Sequence, residues 1–407
     1  IKKSTIVRNT YIVNGCRTPI GSFGGTLASV RPDDMLSHVI KHLVTINPDM
    51  DPGQIDDVIM GCANQAGEDN RNVARMSGLL AGLPYSVPGE TVNRLCASGM
   101  SAVIHGHRAI HTNEGDLFIA GGVENMTRGP WIISKTSSSY GRDAKMYDSS
   151  FGWRFINPQL KELYGIDAMG ETAENLAEMY NISRERQDAF AYNSQIKAKN
   201  ALDAGFFDEE IVAIPFQKSR KESGIFENDE FPRPNTDLNI LAKLSAAFKE
   251  GGTVTAGNSS GLNDGAIAML IASDEGLRTH QLSPIARIVS SAVIGVEPRI
   301  MGIGPVPATN LALKRANLSL DQMDIIEINE AFAAQSIACL DALNLSIDDE
   351  RINPQGGAIA IGHPLGMTGA RLLHTAALQL RRTNKRYALC AMCVGVGQGY
   401  AVILERV

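Results

Sequence analysis

The chain has 407 residues, 44% of them hydrophobic and 20% charged, with a formal net charge of −6. This is globular composition spread over two or three domains at roughly 150 residues each, and it excludes disordered, collagenous and coiled-coil proteins. Lys and Arg form no long run and no apolar stretch approaches the ~20 residues of a bilayer span, so neither nucleic acid nor a membrane is an expected partner.

In chain order, Ile1-Lys2-Lys3-Ser4 runs into a strand-like segment with no secretory core. Glu405-Arg406-Val407 is no peroxisomal address. Six scattered cysteines form no disulfide framework. A reduced, cytoplasmic location is the expectation. The short apolar runs Val58-Ile59-Met60, Leu117-Phe118-Ile119-Ala120, Ala268-Met269-Leu270-Ile271 and Ala388-Leu389-Cys390-Ala391 predict buried strands. Residues 102–110 predict a helix after Cys96. Residues 171–180, 184–204 and 370–380 carry apolar side chains at helical spacing, and Ser183 is a plausible helix cap. Strands alternating with helices predict an α/β fold with buried sheets. Two polar segments, 129–148 and 217–237, read as surface excursions of an inserted region at about 128–260.

An internal repeat organises the rest. Gln54-Ile55-Asp56 matches Gln322-Met323-Asp324 at an offset of 268 residues, and Cys96-Ala97-Ser98-Gly99-Met100-Ser101 matches His363-Pro364-Leu365-Gly366-Met367-Thr368 at 267. Two α/β halves related by a pseudo-two-fold axis would put Cys96 and His363 at equivalent positions, where a thiol and an imidazole can meet. The expected boundaries are 1–127 for the first half, completed by about 261–281, then 128–260 for the inserted domain and 282–407 for the second half.

Cys96 ends an extended run and precedes a helix, so helix amides favour its thiolate and backbone N–H groups can face an oxyanion. The alternative is a small buried hydrophobe. His363 sits in the glycine-rich loop Gly356–Gly366, stiffened by Pro364. Cys390 and Cys393 are three apart on a strand and face opposite sides, so they should not chelate a metal together. Cys393 is instead a candidate acid and base. His105, His107 and His111 read as a helix face; no metal site is expected. Asn329, at a strand end, can orient a water or donate to an oxyanion, or simply cap a helix. Residues 251–265 are glycine- and hydroxyl-rich without a phosphate-loop signature, and suit a long polar ligand passing close to the backbone.

These motifs resemble the thiolase family: Asn93-Arg94-Leu95-Cys96, Gly121-Gly122-Val123-Glu124-Asn125-Met126, the loop 251–265, Asn329-Glu330-Ala331-Phe332, Gly362-His363-Pro364-Leu365-Gly366 and Cys393-Val394-Gly395. They run in family order over nearly the whole chain. The resemblance implies two βαβαβ halves in a layered α/β/α/β/α core with an inserted loop domain. It implies an acyltransferase with Cys96 as nucleophile, His363 as its activator, Cys393 as acid and base, Asn329 at one oxyanion site, and the amides of Cys96 and Gly395 at a second. It implies no permanently bound cofactor, coenzyme A as co-substrate, contacts from Arg233, Phe248 and Ser260, and Met169, Phe332 and Met301 near the acyl group. A homo-oligomer, most simply a dimer of dimers using 129–148, is also implied.

The segments 61–75, 151–158 and 301–305 are similar to thiolases that cleave 3-oxoadipyl-CoA. Ala168 stands where short-chain members carry His, and Val396 where many carry Gly. The terminal carboxylate of such a substrate needs a cation, and Arg75, then Arg71 and Arg154, are the candidates from those segments. Competing expectations are a general 3-oxoacyl-CoA or acetyl-CoA thiolase and, from another class, a non-catalytic CoA- or lipid-binding relative. The four intact site residues argue against the latter, and Cys393 argues against a decarboxylating synthase.

Overall fold

Each of the four apolar runs becomes a strand in the computed structural model, which describes residues 8–407; the expectation about residues 1–4 lies outside the described residues. The first half contributes β1 (Tyr11–Arg17), β2 (Gly21–Ser22), β3 (Asp57–Gly61), β4 (Gly89–Val92) and β5 (Leu117–Asn125). The inserted region carries two hairpins, β6 (Trp131–Ile133) with β7 (Met146–Asp148) and β8 (Ile214–Gln217) with β9 (Ser223–Phe226). Then come β10 (Asn263–Ala272), β11 (Ala286–Gly295), β12 (Ile325–Ile328), β13 (Tyr387–Val394) and β14 (Gln398–Arg406).

The repeat is visible in the strand order. In the first half it runs β1-β10-β5-β3-β4, and in the second β11-β14-β13-β12. In both, the pairs towards the sheet edge are parallel (β5 with β3 and β3 with β4; β13 with β12) and those towards the junction of the halves are antiparallel. Among the described residues, the strand pairs Tyr11↔Arg287 and Ile12↔Ala286 join the two halves into one hydrogen-bonded sheet.

The core is layered. The helices Ser98–Thr112 and Leu365–Thr383 pack together between the two half-sheets, sharing one core with Ile59, Phe118 and Ile267 of the first and Cys390, Met392 and Val402 of the second. The Leu365–Thr383 helix is buried on nearly every side, as expected of a helix covered by sheets on both faces. Helices Pro32–Thr45 and Val73–Leu80 cover the outer face of the first half. Met169–Met179, Pro305–Ala316 and Ala333–Ala342 cover that of the second. This is the α/β/α/β/α stack.

The central helices approach closely because their contact is glycine. A Cβ at Gly99 would lie 2.5 Å from Gly366 O, and one at Gly366 only 2.2 Å from Val123 O. Any side chain there would force the helices apart, and with them the segments that carry Cys96 and His363.

One expectation about the inserted region fails. Residues 217–237 are not all solvated charge: Asp229 is buried and holds Arg17 Nη1 at 2.7 Å and Nη2 at 2.9 Å. Arg17, itself fully buried, also gives Nε and Nη2 to Glu210 Oε1. Buried charges persist only when paired, and this one guanidinium satisfies two carboxylates.

Candidate active site

Cys96 lies in the single turn Leu95–Ala97 that leads into the Ser98–Thr112 helix. Its turn is built by side chains: Asn93 Oδ1 accepts from Leu95 N–H at 2.9 Å, and Ser98 Oγ donates to Leu95 O at 2.7 Å. Leu95 is held at φ +47°, left-handed backbone that an L residue rarely adopts. Burial pushes the half-buried thiol above its ordinary pKa, helped by the charge of Glu124, while the N–H groups of Gly395 and of Cys96 itself, which face the sulfur, offset part of the rise. Those two amides are the ones expected to form an oxyanion site.

Gly395 follows β13. A Cβ there would lie 3.3 Å from Leu95 Cδ1 and 3.7 Å from Met169 Sδ, so Met169 packs beside the glycine whose amide faces the thiol. The next residue, Val396, has φ +62°, an outlier for a β-branched side chain, which explains why glycine suits this position. Cys393, two residues before Gly395, is 1% exposed. Burial, then the neighbouring Cys96 and Cys339 thiols, push its pKa well above the ordinary thiol value. Cys390 faces the central helix layer and Cys393 the outer one, as the strand alternation predicts.

His363 precedes the other central helix. Its N–H donates to Asn263 Oδ1 at 2.9 Å. Its Nδ1 lies 2.7 Å from Thr368 Oγ1, which donates its own proton to Pro364 O at 2.8 Å. Thr368 must therefore accept from Nδ1–H, and Nε2 carries the lone pair. Burial, helped by the charge of Arg371, pulls the imidazole down to about 3, so it is neutral. Asn329, at the end of β12, brings Nδ2 to 3.4 Å from Nε2. Asn329 Oδ1 is buried with no partner among the described residues, an acceptor suited to an oriented water. Thr368 was not singled out in the sequence, although its match to Ser101 in the repeat marks it.

Glu124 fastens these pieces. Its carboxylate accepts from the N–H groups of Ala63, Asn64 and Gly366, each at 2.9 Å, tying the His363 helix to a first-half loop. Burial nevertheless raises its pKa to about 7. Cys62, Asp69 and Glu124 bring one donor atom each within 4.8 Å of one another, but those backbone bonds occupy the Glu124 oxygens. His107 and His111 stack with ring centroids 4.1 Å apart.

The loop 251–265 docks beside Asn329. Ser260 bonds Ala331 O through both N–H (3.0 Å) and Oγ (3.1 Å), and Phe248 meets Phe332 edge to face, with centroids 6.0 Å apart. Arg233 sits over Phe231, its N–H on Gln195 Oε1. Four further residues expected at the site have these surroundings. Met301 is 3% exposed and packs in the same outer core as Cys393 and Phe332. Arg75 gives its guanidinium to the carbonyls of Val87 and Tyr85, bracing the loop before β4. Arg154 bonds Ser149 O at 3.0 Å. Arg71 is exposed, and no contact ties it to the thiol's surroundings.

Two family models match the chain: Thiolase, N-terminal domain, over residues 10–275, and Thiolase, C-terminal domain, over 282–406. A Beta-ketoadipyl-CoA thiolase of Acinetobacter baylyi is 54% identical over 401 residues, spanning 98% of this chain and 100% of the relative. The 3-oxoadipyl-CoA/3-oxo-5,6-dehydrosuberyl-CoA thiolase of Escherichia coli is likewise 54% identical over 401 residues, with the same coverage. The crystal structure of human mitochondrial 3-ketoacyl-CoA thiolase superimposes with a TM-score of 0.91 at 41% identity, covering 99% of this chain and 100% of that one.

Proposed function

The chain belongs to the thiolase family, and from that premise we propose that it cleaves 3-oxoadipyl-CoA with coenzyme A, giving succinyl-CoA and acetyl-CoA. The observation that supports the chemistry is two neighbouring pairs, Cys96 with Cys393 and Asn329 with His363, on segments joined where Gly99 meets Gly366. The substrate follows from two relatives of that named activity at 54% identity over almost the full chain.

Cys96 gives its proton to His363 Nε2 and attacks the 3-keto carbon. The amides of Cys96 and Gly395 stabilise the resulting oxyanion. The C2–C3 bond then breaks. Its electrons leave as the acetyl-CoA enolate, whose oxygen faces His363 and the Asn329 site. Cys393 protonates the enolate carbon and becomes a thiolate. Coenzyme A enters, its thiol returns a proton to Cys393, and its sulfur attacks the succinyl thioester on Cys96. Cys96 leaves and regains its proton from His363. Two oxyanions form at different places, which is why two holes are needed. No resident cofactor takes part; coenzyme A is the co-substrate, with Arg233, Phe248 and Ser260 along its path.

The test is turnover of 3-oxoadipyl-CoA, 3-oxohexanoyl-CoA and acetoacetyl-CoA, followed by loss of the magnesium–enolate absorbance with and without coenzyme A. The highest kcat/KM is expected for 3-oxoadipyl-CoA. A preference for acetoacetyl-CoA would replace this reading by a general or biosynthetic thiolase. A homo-oligomer belongs to the same reading, since the β6–β7 hairpin exposes Trp131, Ile133 and Met146. Light scattering showing a stable monomer would refute it. Among the described residues no helix is long and apolar enough to cross a membrane, and all six cysteines are free. Both fit the cytoplasm.

A further inference from the structure

The acyl group left on Cys96 by a 3-oxoadipyl thioester ends in a carboxylate, and burying that charge without a partner is costly. Of the cations first expected to meet it, Arg75 gives both Nη atoms to backbone carbonyls and Arg154 gives Nη1 to Ser149 O, and among the described residues no hydrogen bond links Arg75, Arg154 or the exposed Arg71 to the segments on either side of the thiol. We propose that Arg299 is the residue that reads the acyl carboxylate. This rests on the 3-oxoadipyl reading and names the residue that would enforce it.

Arg299 is fastened to both segments that flank the Cys96 thiol. On one side is the start of the Met169–Met179 helix, whose Met169 packs beside Gly395, the residue whose amide faces the thiol. Two residues earlier, Asp167 Oδ2 accepts from Arg299 Nε at 3.0 Å. Asn175, from the same helix, locks the pair by donating to Asp167 Oδ2 at 2.8 Å and to Arg299 O at 2.9 Å. Trp153 Nε1 donates to Asp167 O at 3.2 Å and closes the back of the cluster. On the other side is the Gly395–Gly397 turn. Val296 N–H donates to Gly397 O at 2.8 Å, and a Cβ at Gly397 would lie 2.2 Å from Val296 O and 2.9 Å from Pro298 N. The residues just before Arg299 therefore lie directly under the turn that supplies the Gly395 amide.

The guanidinium is only half used. Nε is taken by Asp167, while Nη1 and Nη2 make no hydrogen bond or ion pair to any described residue, and the side chain is 54% exposed. The free edge presents two parallel N–H groups, the match for the two oxygens of a carboxylate. Asp167 orients the guanidinium without exhausting it, because one guanidinium can serve two carboxylates. Arg17 does this in the same chain, giving Nε and Nη2 to Glu210 and Nη1 and Nη2 to Asp229. A neutral acyl chain would leave that edge in water at little cost, so the residue should act on selectivity and not on the chemical step.

The experiment compares kcat/KM for 3-oxoadipyl-CoA with its neutral equal-length analogue, 3-oxohexanoyl-CoA, in full-length wild type, R299M and R299K. If wild type does not prefer 3-oxoadipyl-CoA, the substrate reading fails, and the proposal with it, before any variant is compared. Given that preference, R299M should lose about tenfold to hundredfold on 3-oxoadipyl-CoA, the worth of a hydrogen bond to a charged group, and less than about twofold on 3-oxohexanoyl-CoA. R299K, which keeps the charge but not the fork, should fall between. Inhibition by succinyl-CoA should weaken in R299M while inhibition by butyryl-CoA stays. An equal loss on both substrates, or an unchanged ratio, overturns Arg299 and leaves the substrate reading standing. R299Q replaces R299M should the latter fail to fold.

Discussion

In the first half of the chain, Asp56 Oδ2 accepts from the N–H groups of Asp116 and Leu117; in the second, Asp324 Oδ2 accepts from those of Arg386 and Tyr387. Each aspartate, just ahead of β3 or β12, pins the start of its parallel neighbour. Beyond that shared scaffold the halves diverge. At the head of one central helix stands a half-buried thiol on strained backbone. At the head of the other stands a buried neutral imidazole. Five residues on, Ser101 Oγ accepts from Arg94 Nε at 3.0 Å, whereas Thr368 Oγ1 sets the tautomer of His363. A duplicated framework keeps its fastenings while the helix-head residues are free to specialise, in the proposed reaction one as nucleophile and one as base.

The largest effects should come from those two heads. Cys96→Ala should abolish thiolysis, and mass spectrometry after incubation with acetyl-CoA should find acetyl on Cys96 alone. An acetyl group on Cys393 would reverse the roles. His363→Ala should lose about 10²–10⁴-fold in kcat, the usual worth of a positioned base. Cys393→Ser should still be acylated yet lose more than tenfold in condensation, about 1.4 kcal/mol or more of barrier, because a hydroxyl does not deprotonate the acetyl methyl.

The pair at the fifth position sharpens the comparison. Thr368→Val removes the partner of Nδ1–H and should cost about tenfold in kcat, within the worth of one hydrogen bond left unmade. Thr368→Ser should restore it, and Ser101→Ala should leave kcat within about twofold. Equal losses at both positions would make Thr368 merely structural. For the shared fastenings the expectation is symmetry: Asp56→Ala and Asp324→Ala should each destabilise by about 0.5–1.5 kcal/mol in urea.

The smallest effect is one of pH. His363 binds its proton near pH 3 in the folded chain, against 6.5 for a free imidazole. Between those values only the unfolded state takes up the proton. The stability due to the neutral imidazole is thus complete above about pH 6.5 and is lost as pH falls towards 3. His363→Asn should flatten the acid side of a Tm profile; an unchanged slope would show that the imidazole titrates normally in the folded protein.

Much of the site is written locally. The repeat pairs Cys96 with His363, and the alternation of a strand separates Cys390 from Cys393. A proline-bound histidine between glycines is a short-range signal. These survive as text because period, spacing and turn chemistry act over a few residues. What stays hidden is whichever partner lies far along the chain. Asp229 looks like surface charge until it meets Arg17, 212 residues away. Arg75 looks like a free cation until the loop before β4 folds over it. Arg299 carries no motif for carboxylate recognition; only the packing of the inserted region against the β13–β14 turn brings it beside Met169. By itself, then, the sequence determined the family, the two-half architecture and the candidate site residues, because those depend on local pattern. The tertiary structure alone decided the histidine tautomer and the committed or spare state of each arginine, because burial and hydrogen-bond partners are set by contacts that no local spacing encodes.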